Sequence, residues 1–116
     1  MKLAIEVEVK DEDLMSTVFD NLWTSSSPWV QKYTWDWEAK PLQTAVEVAY
    51  ADPENYPGLA KKVVTVEMLG EALATLISKG SCHCGGIPIT ADLDEADSCW
   101  ADFILQYALF GELVYG

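Results

Sequence analysis

The residues best equipped for chemistry sit together late in the chain: Cys82, His83 and Cys84, with Cys99 further on. Zinc prefers four thiolate or imidazole donors in a tetrahedron, and its paired cysteines commonly have two or more residues between them. Here one residue separates the pair, and it is the chain's only histidine. Neighbouring side chains point apart, so a grip by all three on one ion is strained. Cys82, Cys84 and Cys99 with an aspartate must be weighed against ordinary free, partly buried thiols. No metal and no cofactor are expected. Asp92-Leu93-Asp94-Glu95-Ala96-Asp97 spaces its carboxylates like a calcium loop, yet lacks that loop's central glycine and closing glutamate. Capping of a following helix accounts for these acids without an ion. Ser25, Ser26 and Ser27 have loop composition, and the histidine has no evident group to orient it as a base. Gly85-Gly86 precedes Ile87-Pro88 instead of a phosphate-cradling helix. The expectation is a protein without catalysis of its own.

Charge narrows the partners. Of 116 residues 7 are Lys or Arg and 19 are Asp or Glu, a formal net charge of −12. Such a chain repels phosphate backbones and anionic bilayers, which argues against direct nucleic-acid or membrane binding and for a basic protein surface. Solubility alone is the bland account of the same charge. No apolar run is long enough to span a bilayer, and Glu6 and Glu8 interrupt the apolar positions near Met1, unlike a signal peptide. An odd count of 3 cysteines offers no disulfide framework. These features predict a reducing, cytoplasmic setting.

The elements follow from periodicity. Leu3, Ile5, Val7 and Val9 alternate with Ala4, Glu6, Glu8 and Lys10, which predicts a strand over residues 2–10. Asp11, Glu12 and Asp13 then supply a cap and an acidic first turn. The helix they begin carries Leu14, Met15, Val18, Phe19 and Leu22 on one stripe. After a loop from Thr24 to Pro28, alternation over Trp29 to Glu38 puts Trp29, Tyr33, Trp35 and Trp37 on one side. Val30, Lys32, Thr34, Asp36 and Glu38 take the other. Leu42 to Ala51 and Lys61 to Val66 complete an antiparallel meander. Thr65 is placed to cap a second helix with Leu69, Leu73, Leu76 and Ile77 inward, and Gly80 to stop it. Ser81 to Thr90 reads as irregular.

A last helix runs from about Asp94 to Phe110, with Ala96, Trp100, Phe103, Ile104 and Tyr107 as its core stripe and Gly111 as its stop. Leu105 and Leu109 fall on its far side, so that side needs a cover too. Either Leu113-Val114-Tyr115 folds back over it or another subunit does. The predicted architecture is α+β: a single antiparallel sheet of about four strands covered by three helices, in the order β-α-β-β-β-α-α, as one domain over residues 1–116.

Two surfaces invite binding. The aromatic strand side is either core or an exposed groove for a peptide, a sugar or a protein anchor. If it faces the helices, the opposite side of the sheet presents Glu6, Glu8, Asp36, Glu38 and Glu47, diluted by Lys10, Lys32 and Gln43. Alternate strand residues lie about 6.6 Å apart, near the spacing of successive phosphates. Such a wall could imitate a nucleic-acid backbone; its bland reading is a solvated face that discourages edge aggregation.

The stretch Ala101-Asp-Phe-Ile-Leu-Gln-Tyr-Ala-Leu-Phe-Gly-Glu-Leu-Val-Tyr-Gly116, with the acidic run before it, resembles the ending of small acidic proteins of bacteriophages and prophages, chiefly actinobacterial. The Val-rich start and the Thr65-Val-Glu-Met-Leu helix opening are similar too. The likeness spans about half the chain and brings no catalytic motif. It implies an accessory protein that inhibits or adapts host machinery, of the anti-restriction or anti-CRISPR kind. Together these features predict a non-enzymatic protein in the cytoplasm of a host cell, blocking a nucleic-acid-handling protein through its acidic surface. The alternatives are a homodimeric assembly module joined at Leu105 and Leu109, and a small metal-binding domain.

Overall fold

A computed structural model of the chain describes residues 9–22, 27–36, 38–54, 58–83 and 86–115. The predicted first strand, apart from Val9 and Lys10, lies outside the described residues, and Glu6 and Glu8 with it. The observed order is α1 (Asp11–Asn21), β1 (Val30–Tyr33), β2 (Ala45–Ala51), β3 (Leu59–Thr65), α2 (Val66–Ser78), β4 (Cys82–His83), β5 (Ile87–Pro88) and α3 (Ser98–Phe110), with a 3₁₀ turn over Leu93–Glu95. The class is α+β, as expected. The sheet differs: β1, β2 and β3 form the three-stranded antiparallel meander, while β4 and β5 form a separate two-stranded hairpin where irregular chain was predicted.

Helix α1 buries Leu14, Met15, Val18 and Phe19, the predicted stripe. Its N-cap is Lys10, without a side-chain cap; Asp11, Glu12 and Asp13 fill the first turn instead, where their charge meets the positive end of the helix dipole. At its other end the Tyr33 hydroxyl lies 3.3 and 3.1 Å from the carbonyl oxygens of Phe19 and Leu22, and Trp35 Nε1 donates to Asp20 Oδ1 at 2.8 Å. These contacts pin α1 to the strand side of the fold.

Alternation fails at the start of β1. Trp29, just before the strand, and Val30, its first residue, are both buried, and the register with β2 slips between Val30 and Lys32. The slip leaves Val30 opposite Tyr50 and Tyr33 opposite Val48, so two residues three apart share one side of the sheet. The predicted aromatic face therefore splits in two. Trp29 packs with Tyr50 and Phe110, and Tyr33 and Trp35 pack on Phe19; Trp37 lies outside the described residues. On β2 the inner face is Val46, Val48 and Tyr50, joined by Val64 of β3.

Helix α2 starts and stops where its signals fall. Thr65 Oγ1 accepts from Met68 N at 3.2 Å and Met68 Sδ accepts from Thr65 N at 3.4 Å, a capping box closed by a thioether instead of a carboxylate. Gly80 takes φ +64, and the amides of Gly80 and Ser81 donate to the carbonyls of Ile77 and Leu76, both at 3.0 Å. That pair of bonds is a Schellman stop, and its left-handed residue suits glycine.

The last helix departs most from expectation. The acidic run makes the 3₁₀ turn, the chain extends at Ala96, and Asp97 caps α3 afresh by accepting from Trp100 N at 2.9 Å. Leu105 and Leu109 are buried, 0 % and 5 % exposed, whereas the predicted core residues Phe103 and Tyr107 are half-buried. The segment after α3 folds back on the helix at Gln106. Gln106, 1 % exposed, accepts at Oε1 from the amides of Val114 and Tyr115, both at 2.8 Å, and donates to Tyr115 O at 3.0 Å. Its Nε2 also donates to Asp102 Oδ1, while Asp102 Oδ2 accepts from Ser27 Oγ at 2.6 Å and Trp29 Nε1 at 3.0 Å. The Tyr115 ring stacks on Trp29, centroids 5.3 Å apart, and its hydroxyl donates to Ala51 O at 2.7 Å. On the other side Lys62 Nζ donates to Leu109 O at 3.2 Å, satisfying a carbonyl at the negative end of the α3 dipole. Among the described residues no helix is long and apolar enough to cross a membrane.

Candidate functional site

The predicted acidic wall does not assemble among the described residues. Of its five members Glu6 and Glu8 lie outside them. Asp36 and Glu38 are exposed but sit beyond the end of β1, in the connection to β2, where Asp36 Oδ1 accepts from Glu38 N at 3.0 Å. Gln43 knits the same connection, accepting from Asp36 N and donating to the carbonyls of Thr34 and Ala45. Only Glu47 stands on the outer side of the sheet, opposite Val63. Its surroundings are apolar and basic: Leu59 and Val63 are 63 % and 50 % exposed, and Lys32 and Lys61 both pair with Ala49. Charge at these positions does not follow the regular spacing of phosphates.

Leu105 and Leu109, the expected oligomer contact, are buried within the chain itself. Of the predicted core stripe Trp100 and Ile104 are buried beside them, while Ala96, Phe103 and Tyr107 are half-buried.

The cysteines do not converge either. Cys82 is exposed, Cys99 is half-buried on α3, and Cys84 lies outside the described residues. His83 is buried between the hairpin and α3, its ring edge-on to Phe103 at 6.4 Å and its Nδ1 3.5 Å from Asp97 Oδ1. Among the described residues no three His, Cys, Asp or Glu side chains could hold a metal ion together.

Acidic character gathers elsewhere, along the outward side of α1. Two adjoining clefts share Asp13 and Ser16 as a common wall. One, of about 490 Å³, lies between α1 and the 3₁₀ turn, with Asp13 facing Asp92 and Asp94. The other, of about 1010 Å³, lies between α1 and the β1–β2 connection, with Glu12 and Asp13 facing Glu38. Lys10 edges the first cleft and Lys40 the second. Among the described residues, neither lysine forms an ion pair with Glu12, Asp13, Glu38, Asp92 or Asp94.

Local structure explains why the carboxylates stand there. Asp13 and Glu12 are held by a helical first turn whose apolar stripe is anchored inward. Asp92 is fixed as the cap of the 3₁₀ turn, with Oδ1 accepting from Asp94 N at 3.1 Å. Chemically the two clefts can receive guanidinium or ammonium groups between opposing acids.

From the sequence, Asp92 and Asp94 were legible as capping acids. Their position across from α1 depends on where the hairpin delivers the chain, which no local spacing announces. Comparison with protein-family models, with curated proteins and with solved structures gives no match to this chain.

Proposed function

We propose that the chain is a non-enzymatic binding protein that holds a basic protein surface against the outward side of α1. The single observation that carries this reading is the shared acidic wall. Two clefts flank one helix face, and each is lined by carboxylates from both sides with one lysine at its edge among the described residues. A net charge of −12 extends the attraction beyond the clefts and disfavours nucleic acid as the direct ligand. Basic patches on proteins that handle nucleic acid have the matching chemistry, in keeping with the inhibitor role implied by the resemblance.

The test is a titration with an arginine-rich peptide, followed by backbone amide shifts. Shifts should centre on residues 12–17 and 92–94, and they should vanish near 1 M salt, where screening falls to about 3 Å. Neutralising Glu12, Asp13, Asp92 and Asp94 as Gln or Asn should abolish them while retaining the cap at Asp92. Shifts centred on the outer sheet face, or insensitive to salt, would reject the reading.

A further inference from the structure

The way Gln106 holds the segment after α3 has the form of ligand recognition more than of core packing. A primary amide offers two N–H donors and an oxygen with two lone pairs. All four are used: the oxygen takes the amides of Val114 and Tyr115, and the nitrogen serves Tyr115 O and Asp102. The amide cannot be turned over, since its NH₂ would then meet two backbone donors. Asp102 locks it from below and is itself held by Ser27 and Trp29. The bonds to the segment reach main-chain atoms only, so they read an extended backbone and not a sequence.

Side-chain selectivity is confined to one place. The Tyr115 ring lies flat on Trp29, interplanar angle 9°, with Phe110 and Tyr50 completing an aromatic socket and Ala51 O receiving the phenol. Leu113 and Val114, by contrast, leave their side chains 43 % and 38 % exposed. The segment joins α3 through Gly111 at φ +73, a left-handed position that frees the chain from the helix direction. It is thus held by one ring and three main-chain hydrogen bonds, the footing of a short peptide ligand.

We infer that the junction of α3 with β1 and β2 is a peptide-recognition site for an extended segment bearing an aromatic side chain. Val114–Tyr115 occupies it in cis and is displaceable by such a segment from another chain. This site is separate from the acidic clefts, and its fate does not depend on theirs. An occupied site binds a competitor more weakly by the fraction of molecules in which it stands vacant. Weakening the resident therefore reveals the site.

The experiment uses the full chain and a synthetic Glu-Leu-Val-Tyr-Gly peptide, read by the Gln106 side-chain amide and Trp29 indole signals. In the Tyr115→Ala variant the peptide should bind about tenfold or more tighter than in the unaltered chain. A peptide with alanine for its tyrosine should not bind. In the unaltered chain the Val114 and Tyr115 amides should exchange with solvent by local opening, far faster than those of Val48 and Leu73. Equal peptide affinity for variant and parent, or no binding to a folded variant, would overturn the inference. So would exchange of Val114 and Tyr115 only on global unfolding, which also decides the matter if the variant does not fold.

Discussion

A buried polar side chain costs stability unless its atoms find partners, and Gln106 shows what satisfying that condition demands here. Its partners come from Asp102, one helical turn back, and from main chain eight and nine residues ahead. Its sequence neighbours say nothing of this, which is why a glutamine between Leu105 and Tyr107 reads as a solvated position. Three tyrosines carry a pH dependence. Burial raises the pKa of Tyr33, Tyr50 and Tyr115, helped by Asp20 beside Tyr33 and Asp52 beside the other two, with Tyr50 adding to Tyr115. A folded pKa above the unfolded one means that the stability is fully present below about 10, the ordinary tyrosine value. It is lost as pH rises through the raised values. Urea midpoints should hold up to roughly pH 9 and fall beyond it, less steeply in Tyr115→Phe, which has one such phenol fewer. The same change removes the bond to Ala51 O and should lower the plateau by about 1 kcal/mol. A midpoint constant up to roughly pH 11 would contradict this assignment.

Among the elements, legibility tracks how one-sided each pattern is. In α1 and α2 one stripe is apolar and the other side charged, so the buried face is unambiguous and both stripes were readable, together with the Thr65 cap and the Gly80 stop. In α3 apolar residues occur nearly all round, and periodicity cannot choose between Phe103 with Tyr107 and Leu105 with Leu109. Packing chooses: Ala101, 0 % exposed, lies with Ile104 and Leu105 on the side that meets the other helices. The bulge in β1 is invisible for a similar reason, since Val30 and Tyr33 both suit a strand and only the register with β2 puts both on one side. The two interpretations of Leu105 predict different outcomes for Leu105→Glu. An interface residue would yield a folded monomer. A residue enclosed in this core should cost at least about 3 kcal/mol, through a lost apolar contact and an unpaired buried charge. Circular dichroism and a urea midpoint should therefore show loss of the fold, and an unshifted midpoint would argue for an open face.

Across the whole molecule, the sequence's large negative charge was plain but its placement was not. Strand alternation suggested a regular row of acids on the sheet; the described sheet instead offers Glu47 amid Leu59, Val63 and lysines, and the acids collect where helix start, 3₁₀ turn and loop meet. Placement of that kind depends on tertiary arrangement and has no period to detect. The thioether in the α2 capping box has its own consequence, because it puts one methionine sulfur to polar use at a half-buried site. Met15, by contrast, is fully enclosed. A sulfoxide at position 68 keeps an acceptor near the Thr65 amide, while one at position 15 would place a polar group in the core. Dilute peroxide should therefore convert Met68 before Met15 and leave the chain folded. Met15 should be converted only as fast as molecules open globally, which would make its mass shift a clock for unfolding; simultaneous oxidation of both in the folded chain would show that no such protection exists.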